Sequence, residues 1–232
     1  MIRNTIATAA LCLGIAASPA AARTDTLQLL LGGRAIGTLE VRGEGRGAGL
    51  LASLTAKLNN TPLGVADGVF TAASRPATSA DGRRLRRYAS RSAFTSKSRS
   101  ISILIDDGRA VATEVEPAGE MTALSRPDKV PAGIVDPATA LDRLLSATGC
   151  PDPIRIYDGR RVVQLSFGSA EETPTGLICR GDYRVVAGPG HLSPLRLRSF
   201  KIDLRFDRSA GGAAGLAEID LRTGPFALRV VR

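Results

Sequence analysis

The sequence predicts a mostly β fold: a single curved antiparallel sheet or an incomplete β-barrel, with one helix packed on its concave face. Short stretches of alternating apolar and polar residues recur along most of the chain, separated by turn residues such as Gly, Pro and Asp-Gly. Only one segment, which begins at Asp136, has a convincing helical period. Because the connections are short, consecutive strands should pair antiparallel, and a sheet with one apolar face must curl or be covered.

The clearest strand is 195–207, which has the best alternating pattern in the chain, with apolar residues at every second position from Phe200 to Phe206. The residues that share its apolar face are Phe200, Ile202, Leu204 and Phe206. The other predicted strands are 25–31, 34–42, 50–58, 65–73, 83–99, 101–105, 110–116, 154–157, 162–167, 177–186, 217–222 and 226–230.

The helix follows a predicted loop, 117–131. Asp136 can accept hydrogen bonds from the first free amides, and Pro137 suits the first helical position because its missing N–H costs nothing there. Gly149 is a suitable stop. One apolar face of about three turns is formed by Leu141, Leu144 and Leu145.

Residues 1–22 are predicted to be a cleavable signal peptide, cut after Ala22. Arg3 supplies the positive N-terminal region, the apolar run 6–17 is too short to span a bilayer, and three alanines precede the cut. Removing this segment, which carries one Arg and no acid, leaves 210 residues with a net charge of +8. Residues 23–232 are therefore predicted to form a single β-rich domain in the periplasm.

Export leaves two cysteines, Cys150 and Cys179, because Cys12 lies in the signal peptide. In an oxidising compartment they are predicted to form a disulfide, which in the chain-entropy model stabilises the fold by about 3.6 kcal/mol. His191, a lone histidine in a glycine-proline loop, is predicted to be solvated. The enzymatic alternative makes Cys179 a nucleophile with His191 as its base. Its surroundings superficially resemble the cysteine-arginine end of the L,D-transpeptidase motif, but the His- and Ser-bearing elements of that family are missing.

Other signatures of chemistry are missing from the sequence. No cluster has metal-ligand spacing, and no nucleophile or phosphate-loop motif occurs, so no catalytic residue, metal or cofactor is predicted. Export argues against nucleic acid as a partner despite the positive charge. With no Trp and three Tyr, the chain is also poor in the aromatic residues that carbohydrate stacking and the girdles of a membrane barrel require.

A basic run without acids lies between residues 83 and 99. It is interpreted either as the solvated outer face of a hairpin or as a surface that docks onto an anionic membrane, where each basic group contributes about 1 kcal/mol. Its cationic members are Arg83, Arg84, Arg86, Arg87, Arg91, Lys97 and Arg99.

The segment Tyr157–Arg161 predicts a tight hairpin turn at Asp158-Gly159, with Gly159 at positive φ. Arg160 and Arg161 follow directly and should point to opposite faces. At least one of them is therefore predicted to be buried and hydrogen-bonded, with Asp136 and Asp182 as candidate partners.

The chain resembles an uncharacterised family of Gram-negative envelope proteins, domain of unknown function 3108. The resemblance rests on Gly32-Gly33 followed by Gly37, on the helix start at Asp136-Pro137, on Tyr157–Arg161 and on Cys179–Tyr183. It implies a periplasmic location and supplies no catalytic residues. A looser similarity, of architecture alone, is to the curved-sheet lipoprotein carriers of the periplasm.

These observations favour a non-enzymatic periplasmic protein that binds or carries a lipid, an acyl chain or another apolar group in the concavity of its sheet. The alternative is a structural or assembly factor of the cell envelope, with a filled core and a protein partner. A cavity favours the first hypothesis and a packed interior favours the second. The candidate lining residues, which could equally be plain core, are Leu141, Leu145, Phe200, Ile202, Leu204 and Phe206.

Overall fold

The computed structural model describes residues 22–64, 66–95, 97–191, 195–208 and 214–232. Nearly all of the predicted signal peptide, residues 1–21, lies outside this part. The helix α1 is Pro137–Ser146. The strands are β1 Arg23–Leu31, β2 Arg34–Glu44, β3 Leu51–Leu58, β4 Gly68–Thr78, β5 Arg84–Phe94, β6 Lys97–Asp106, β7 Arg109–Glu116, β8 Ile134–Val135, β9 Ile154–Tyr157, β10 Val162–Thr173, β11 Gly176–Ala187, β12 Ser199–Arg208, β13 Ala214–Thr223 and β14 Phe226–Val231.

All of these strands belong to one sheet, in the order β7-β6-β5-β4-β3-β2-β1-β14-β13-β12-β11-β10-β9-β8. The first strand pairs with the last, for example through Leu29 and Val230, so that two antiparallel arms extend from the middle of the sheet. The pair β8–β9, which α1 connects, is parallel. The predicted strand 83–99 is in fact the hairpin β5–β6, which turns near Thr95.

The two arms curl towards each other and nearly close a barrel. The amide of Ile134, in the edge strand β8, donates to the carbonyl of Gly108, in the turn before the edge strand β7, at 3.0 Å. The segment between β7 and β8 forms three 3-10 turns that reach the β9–β10 loop, where Ser125 Oγ donates to the Gly159 carbonyl at 3.0 Å. Across the described residues, this architecture confirms the predicted mostly β fold with a single helix.

The helix lies within the curve of the sheet and begins as predicted. Asp136 caps it by accepting a hydrogen bond from the Thr139 amide at 2.9 Å, and Pro137 occupies the first turn. The helix ends at Ser146, shortly before Gly149, and buries Leu144 and Leu145. No helix in the described ranges is long and apolar enough to cross a membrane.

Cys150 and Cys179 form the predicted disulfide, with their Cα atoms 5.4 Å apart. The bond links the segment after α1 to the first half of β11. Cys179 is fully buried, and its sulfur is bonded to that of Cys150. In this bonded form Cys179 has no free thiol that could act as a nucleophile.

Candidate ligand cavity

A cavity of about 390 Å³ lies between α1 and the inner face of the sheet. Its walls are mainly apolar and come from the helix and from both arms of the sheet. Representative apolar lining residues are Phe70, Ile101, Leu141, Leu144, Ile202 and Val230. Ser90, Arg99, Asp158 and Tyr183 also reach this cavity and give it a polar part.

Two of the six predicted lining residues, Leu141 and Ile202, line the cavity. For the other four residues the prediction was wrong, because none of them lines the cavity. Leu204 and Phe206 are fully buried further along β12, where Leu204 pairs with Cys179 in the neighbouring strand. Their half of the strand lies beside the disulfide, so their side chains fill the core.

Leu145 and Phe200 also lie outside this cavity. Leu145 faces a second pocket, of about 810 Å³, on the opposite face of the helix. That pocket is far more polar, because Arg23, Arg86 and Asp142 contribute to it. Phe200 packs edge to face against Tyr183, with ring centroids 5.4 Å apart.

Glu120, in the first 3-10 turn after β7, pairs with Arg99, one of the polar residues that line the cavity. Its buried carboxylate pairs with Lys97, with Arg99 and, at 3.2 Å, with Arg160. Although burial alone would raise the pKa of Glu120, the hydrogen bonds from Lys97 and Arg99 and the nearby arginine charges hold it below its ordinary value. Glu120 is therefore ionised at neutral pH and holds three cations beside the cavity.

The β9–β10 loop holds the two predicted arginines, and its geometry differs from a two-residue hairpin. Tyr157 pairs with Val162, so residues 158–161 form a four-residue loop and the arginines do not occupy alternate strand positions. Gly159 has φ of +92°, as predicted, and a Cβ there would lie 2.5 Å from a methyl carbon of Ile101. The loop can therefore lie against β6 only because residue 159 is glycine.

Both arginines are largely buried, which confirms the prediction that at least one would be. Arg160 donates to the Glu120 carbonyl at 2.5 Å, and Arg161 lies 3.1 Å from Asp158. The predicted partners were wrong. Asp182 pairs with Lys201, and Asp136 bonds hydroxyl groups in the core.

Tyr157, predicted to be structural, is fully buried. Its hydroxyl donates to the Leu124 carbonyl at 2.5 Å and lies 3.0 Å from the Thr113 hydroxyl. Burial raises its pKa to about 12. Tyr157 thus ties the β9–β10 hairpin to β7 and to the 3-10 turns.

Arg161, His191 and Tyr183 form a hydrogen-bonded chain that ends at the cavity. Arg161 Nη1 lies 2.9 Å from His191 Nδ1, and His191 Nε2 lies 2.6 Å from the Tyr183 hydroxyl. Burial, and then the charge of Arg161, lower the pKa of His191 to about 4. His191 was predicted to be solvated, or else to be the base of a Cys179 nucleophile, and this buried, neutral role was missed.

The cations of the basic run have different orientations and different partners in the structure. Arg86 points inwards and donates to the carbonyls of Leu50, Gly47 and Ala48, while Arg99 pairs with Glu120. The seven cations do not share one surface, because successive residues of a strand point to opposite faces. Of the other members, Arg83 is exposed and pairs with Asp81 and Asp106, and Lys97 is exposed and pairs with Glu120. Arg84, Arg87 and Arg91 are exposed as well.

The residues missed by the sequence analysis are mainly polar. Arg99 belongs to the basic run, but its inward orientation follows only from its place in β6, two residues before Ile101. Glu120 lies in the predicted loop 117–131, and no sequence pattern around it indicated a role in a site. Within the described ranges, no group of three or more His, Cys, Asp or Glu residues could hold a metal ion.

The fold and the cavity define a barrel-like β domain with an internal helix. No family model matches the chain, and no curated protein matches it. Among solved structures, it is similar to a β-barrel-like protein of domain of unknown function DUF1849 from Brucella abortus. That similarity has 13% sequence identity and a TM-score of 0.46, and it covers 93% of this chain and 97% of the other. The resemblance to domain of unknown function 3108 stays a prediction.

Proposed function

We propose that this chain is a non-enzymatic periplasmic protein that holds an acyl chain, or another apolar group, in the cavity between α1 and the sheet. The observation that carries the proposal is the cavity itself, whose volume of about 390 Å³ lies beside apolar side chains. Small-molecule sites have volumes of roughly 300–1,000 Å³ and mainly apolar walls, and their few polar groups orient the ligand.

A row of apolar side chains along the inner face of the sheet could hold an extended acyl chain. Leu31, Leu228, Leu221 and Ile202 are successive cross-strand partners in β1, β14, β13 and β12. Leu221 and Ile202 line the cavity, and Leu31, Leu221 and Leu228 are only partly buried. An acyl chain seated along this row would cover apolar surface that water otherwise contacts, which stabilises the complex by about 0.8 kcal/mol per buried methylene.

The alternative proposal, an envelope assembly factor that binds a protein partner, calls for a filled interior. The cavity favours the ligand-binding proposal over this alternative. Location in the periplasm remains part of the proposal and follows from the signal peptide predicted for residues 1–22.

Native mass spectrometry of the protein purified from the periplasm tests the proposal. We expect a co-purified lipid mass that organic extraction removes, and we expect the stripped protein to bind the apolar fluorophore N-phenyl-1-naphthylamine. Leu141→Trp should fill the cavity and weaken fluorophore binding about tenfold, because overpacking a site costs roughly 1–3 kcal/mol.

The matched control is Leu51→Trp, since Leu51 is an exposed leucine of β3. It should bind the fluorophore like the wild type. If neither lipid nor fluorophore binds the wild-type protein, the ligand-binding proposal fails and the assembly factor becomes the better hypothesis.

A further inference from the structure

We infer that the occupant of the cavity is a single-chain amphiphile with an anionic head group, a carboxylate or a phosphate, and that Arg99 binds this head group. The inference rests on the proposed function and adds the chemical class of the ligand. It is argued from the charges and hydrogen-bond donors that the structure places at the polar part of the cavity.

Arg99 is the cation that lines the cavity. It lies on the inner face of β6, and its side chain is 23% exposed. Its Nε donates to Glu120 Oε2 at 3.0 Å, and its Nη2 contacts the same oxygen. A guanidinium carries five N–H donors, so these two bonds leave donors for a second anion.

The cluster around Arg99 has more positive than negative charge. Lys97, Arg99 and Arg160 all pair with the one carboxylate of Glu120. The neighbouring loop adds one further pair, Arg161 with Asp158. Four cations thus accompany two carboxylates, and the side chains of Arg160 and Arg161 are only 15% and 10% exposed.

An excess of cations in a partly buried site is unfavourable unless an anion offsets it. Burial, followed by the charge of Arg99, lowers the pKa of Arg160, which agrees with an excess of positive charge there. An anionic head group would supply the missing charge. A cationic head group would be repelled, and the Asp158 carboxylate already accepts hydrogen bonds from the amides of Arg160 and Arg161.

Tyr183 adds a neutral donor to the same cavity. Arg161 can only donate, so His191 accepts at Nδ1, and neutral His191 must then carry its proton on Nε2. That proton is donated to the Tyr183 hydroxyl at 2.6 Å, which leaves the hydroxyl proton of Tyr183 for another acceptor. Since Tyr183 lines the cavity, its proton can be donated to a ligand oxygen.

Displacement of N-phenyl-1-naphthylamine from the stripped wild-type protein tests the inference. Three ligands with the same chain, dodecanoate, dodecyl phosphate and dodecan-1-ol, are compared at pH 8 and low salt. At least one anionic ligand should displace the fluorophore at about tenfold lower concentration than the alcohol, since a charge-assisted hydrogen bond contributes roughly that factor. The stronger of the two anions identifies the head group.

Arg99→Gln should abolish this preference, so that neither anionic ligand displaces the fluorophore at a lower concentration than dodecan-1-ol does. Arg87→Gln, an exposed arginine of β5, and Arg143→Gln, in the second pocket, are matched controls that should retain it. If Arg99→Gln does not fold, Lys97→Gln serves instead, because half of the Lys97 side chain is exposed and its loss should weaken the preference without unfolding the protein.

Equal displacement by the alcohol and both anions would overturn the inference and leave the proposed function intact. Retention of the preference in Arg99→Gln would also overturn the role of Arg99. Displacement by inorganic phosphate as strong as that by dodecyl phosphate would show a site for a free anion instead of an amphiphile. Failure of the fluorophore itself to bind would instead remove the proposed function.

Discussion

The hydroxyl of Ser74 donates a hydrogen bond to Oδ2 of Asp136 at 2.7 Å, across 62 residues of sequence. Both residues are essentially inaccessible to solvent, with exposures of 1% and 0%. Thr139 bonds the same carboxylate, and Arg86 Nη1 contacts the Ser74 hydroxyl at 3.2 Å. The residue that caps the helix therefore also fixes the helix to β4, so one side chain determines both where α1 begins and where it lies.

Replacing Asp136 by Ala should destabilise the protein by more than the loss of an ordinary helix cap. The substitution removes the cap, which contributes about 1 kcal/mol, and leaves the Ser74 and Thr139 hydroxyls buried with fewer partners, each costing about 1–3 kcal/mol. Urea unfolding measures the loss. Asp128→Ala, at an exposed carboxylate of a 3-10 turn, is the control, and equal stability of the two variants would contradict the anchoring role.

The loop arginines should both contribute to stability, and Arg160 should contribute the more of the two. Arg160→Ala removes one of three cations from buried Glu120 as well as a bond to its carbonyl, so we expect a loss of roughly 1–3 kcal/mol. Arg161→Ala leaves His191 Nδ1 without its donor. Thermal melting compares both with Arg87→Ala, which should melt like the wild type, and three identical melting curves would exclude a structural role for the loop.

Elements with local signals were predictable from the sequence. The cap Asp136, the first-turn Pro137 and the leucine spacing determine where α1 begins and which face it buries, and these depend on neighbouring residues only. The apolar face of β12 was predicted for the same reason, since strand alternation is a local property. The disulfide was predicted from the expected export, which would leave only two cysteines.

The composition of the cavity could not be predicted in this way, because it depends on which distant strands come together. Leu204 and Ile202 share the face of β12, yet only Ile202 borders the cavity, since their cross-strand neighbours differ. Glu120 binds Arg99 and Arg160, which lie 21 and 40 residues away. A single acid in a loop gives no sign of such partners.

The disulfide leads to a prediction about thiols and stability. Denatured but unreduced mature protein should show no free thiol, because Cys150 and Cys179 are bonded. The double variant Cys150→Ser, Cys179→Ser should lose up to about 3.6 kcal/mol of unfolding free energy, since the bond closes a 29-residue loop. Two reactive thiols in the unreduced protein would contradict this prediction.

The exposed part of the basic run gives a prediction about membrane surfaces. The mature protein should bind anionic vesicles at low salt and dissociate as salt screens the attraction. Reversing Arg84, Arg87 and Arg91 to Glu should abolish binding and leave the fold intact, because all three are exposed. Arg86 is excluded from this set, since its bonds to three carbonyls make it a structural residue. If vesicle binding changed neither with salt nor with these reversals, the docking role would be contradicted and the run would be only a solvated surface.

His191 should make the stability of the protein depend on pH in a defined window. Its pKa is about 4 in the folded protein, against an ordinary value of 6.5, because burial and the charge of Arg161 disfavour the imidazolium. Between these two pH values the unfolded chain binds a proton that the folded protein does not, so the stability contributed by neutral His191 is complete above pH 6.5 and declines as the pH falls towards 4.

The unfolding free energy of the wild type should therefore rise with pH from 4 to 6.5, with a contribution from His191 of at most about 1.4 kcal/mol per pH unit. His191→Gln preserves a hydrogen-bonding side chain between Arg161 and Tyr183 but cannot titrate, so its curve should be flatter by that contribution. Both proteins carry the same carboxylates, including Glu120, and the difference between their curves isolates the histidine. Parallel curves over this range would mean that His191 binds its proton equally in the folded and unfolded states, and the neutral tautomer that leaves the Tyr183 proton free would lose its support.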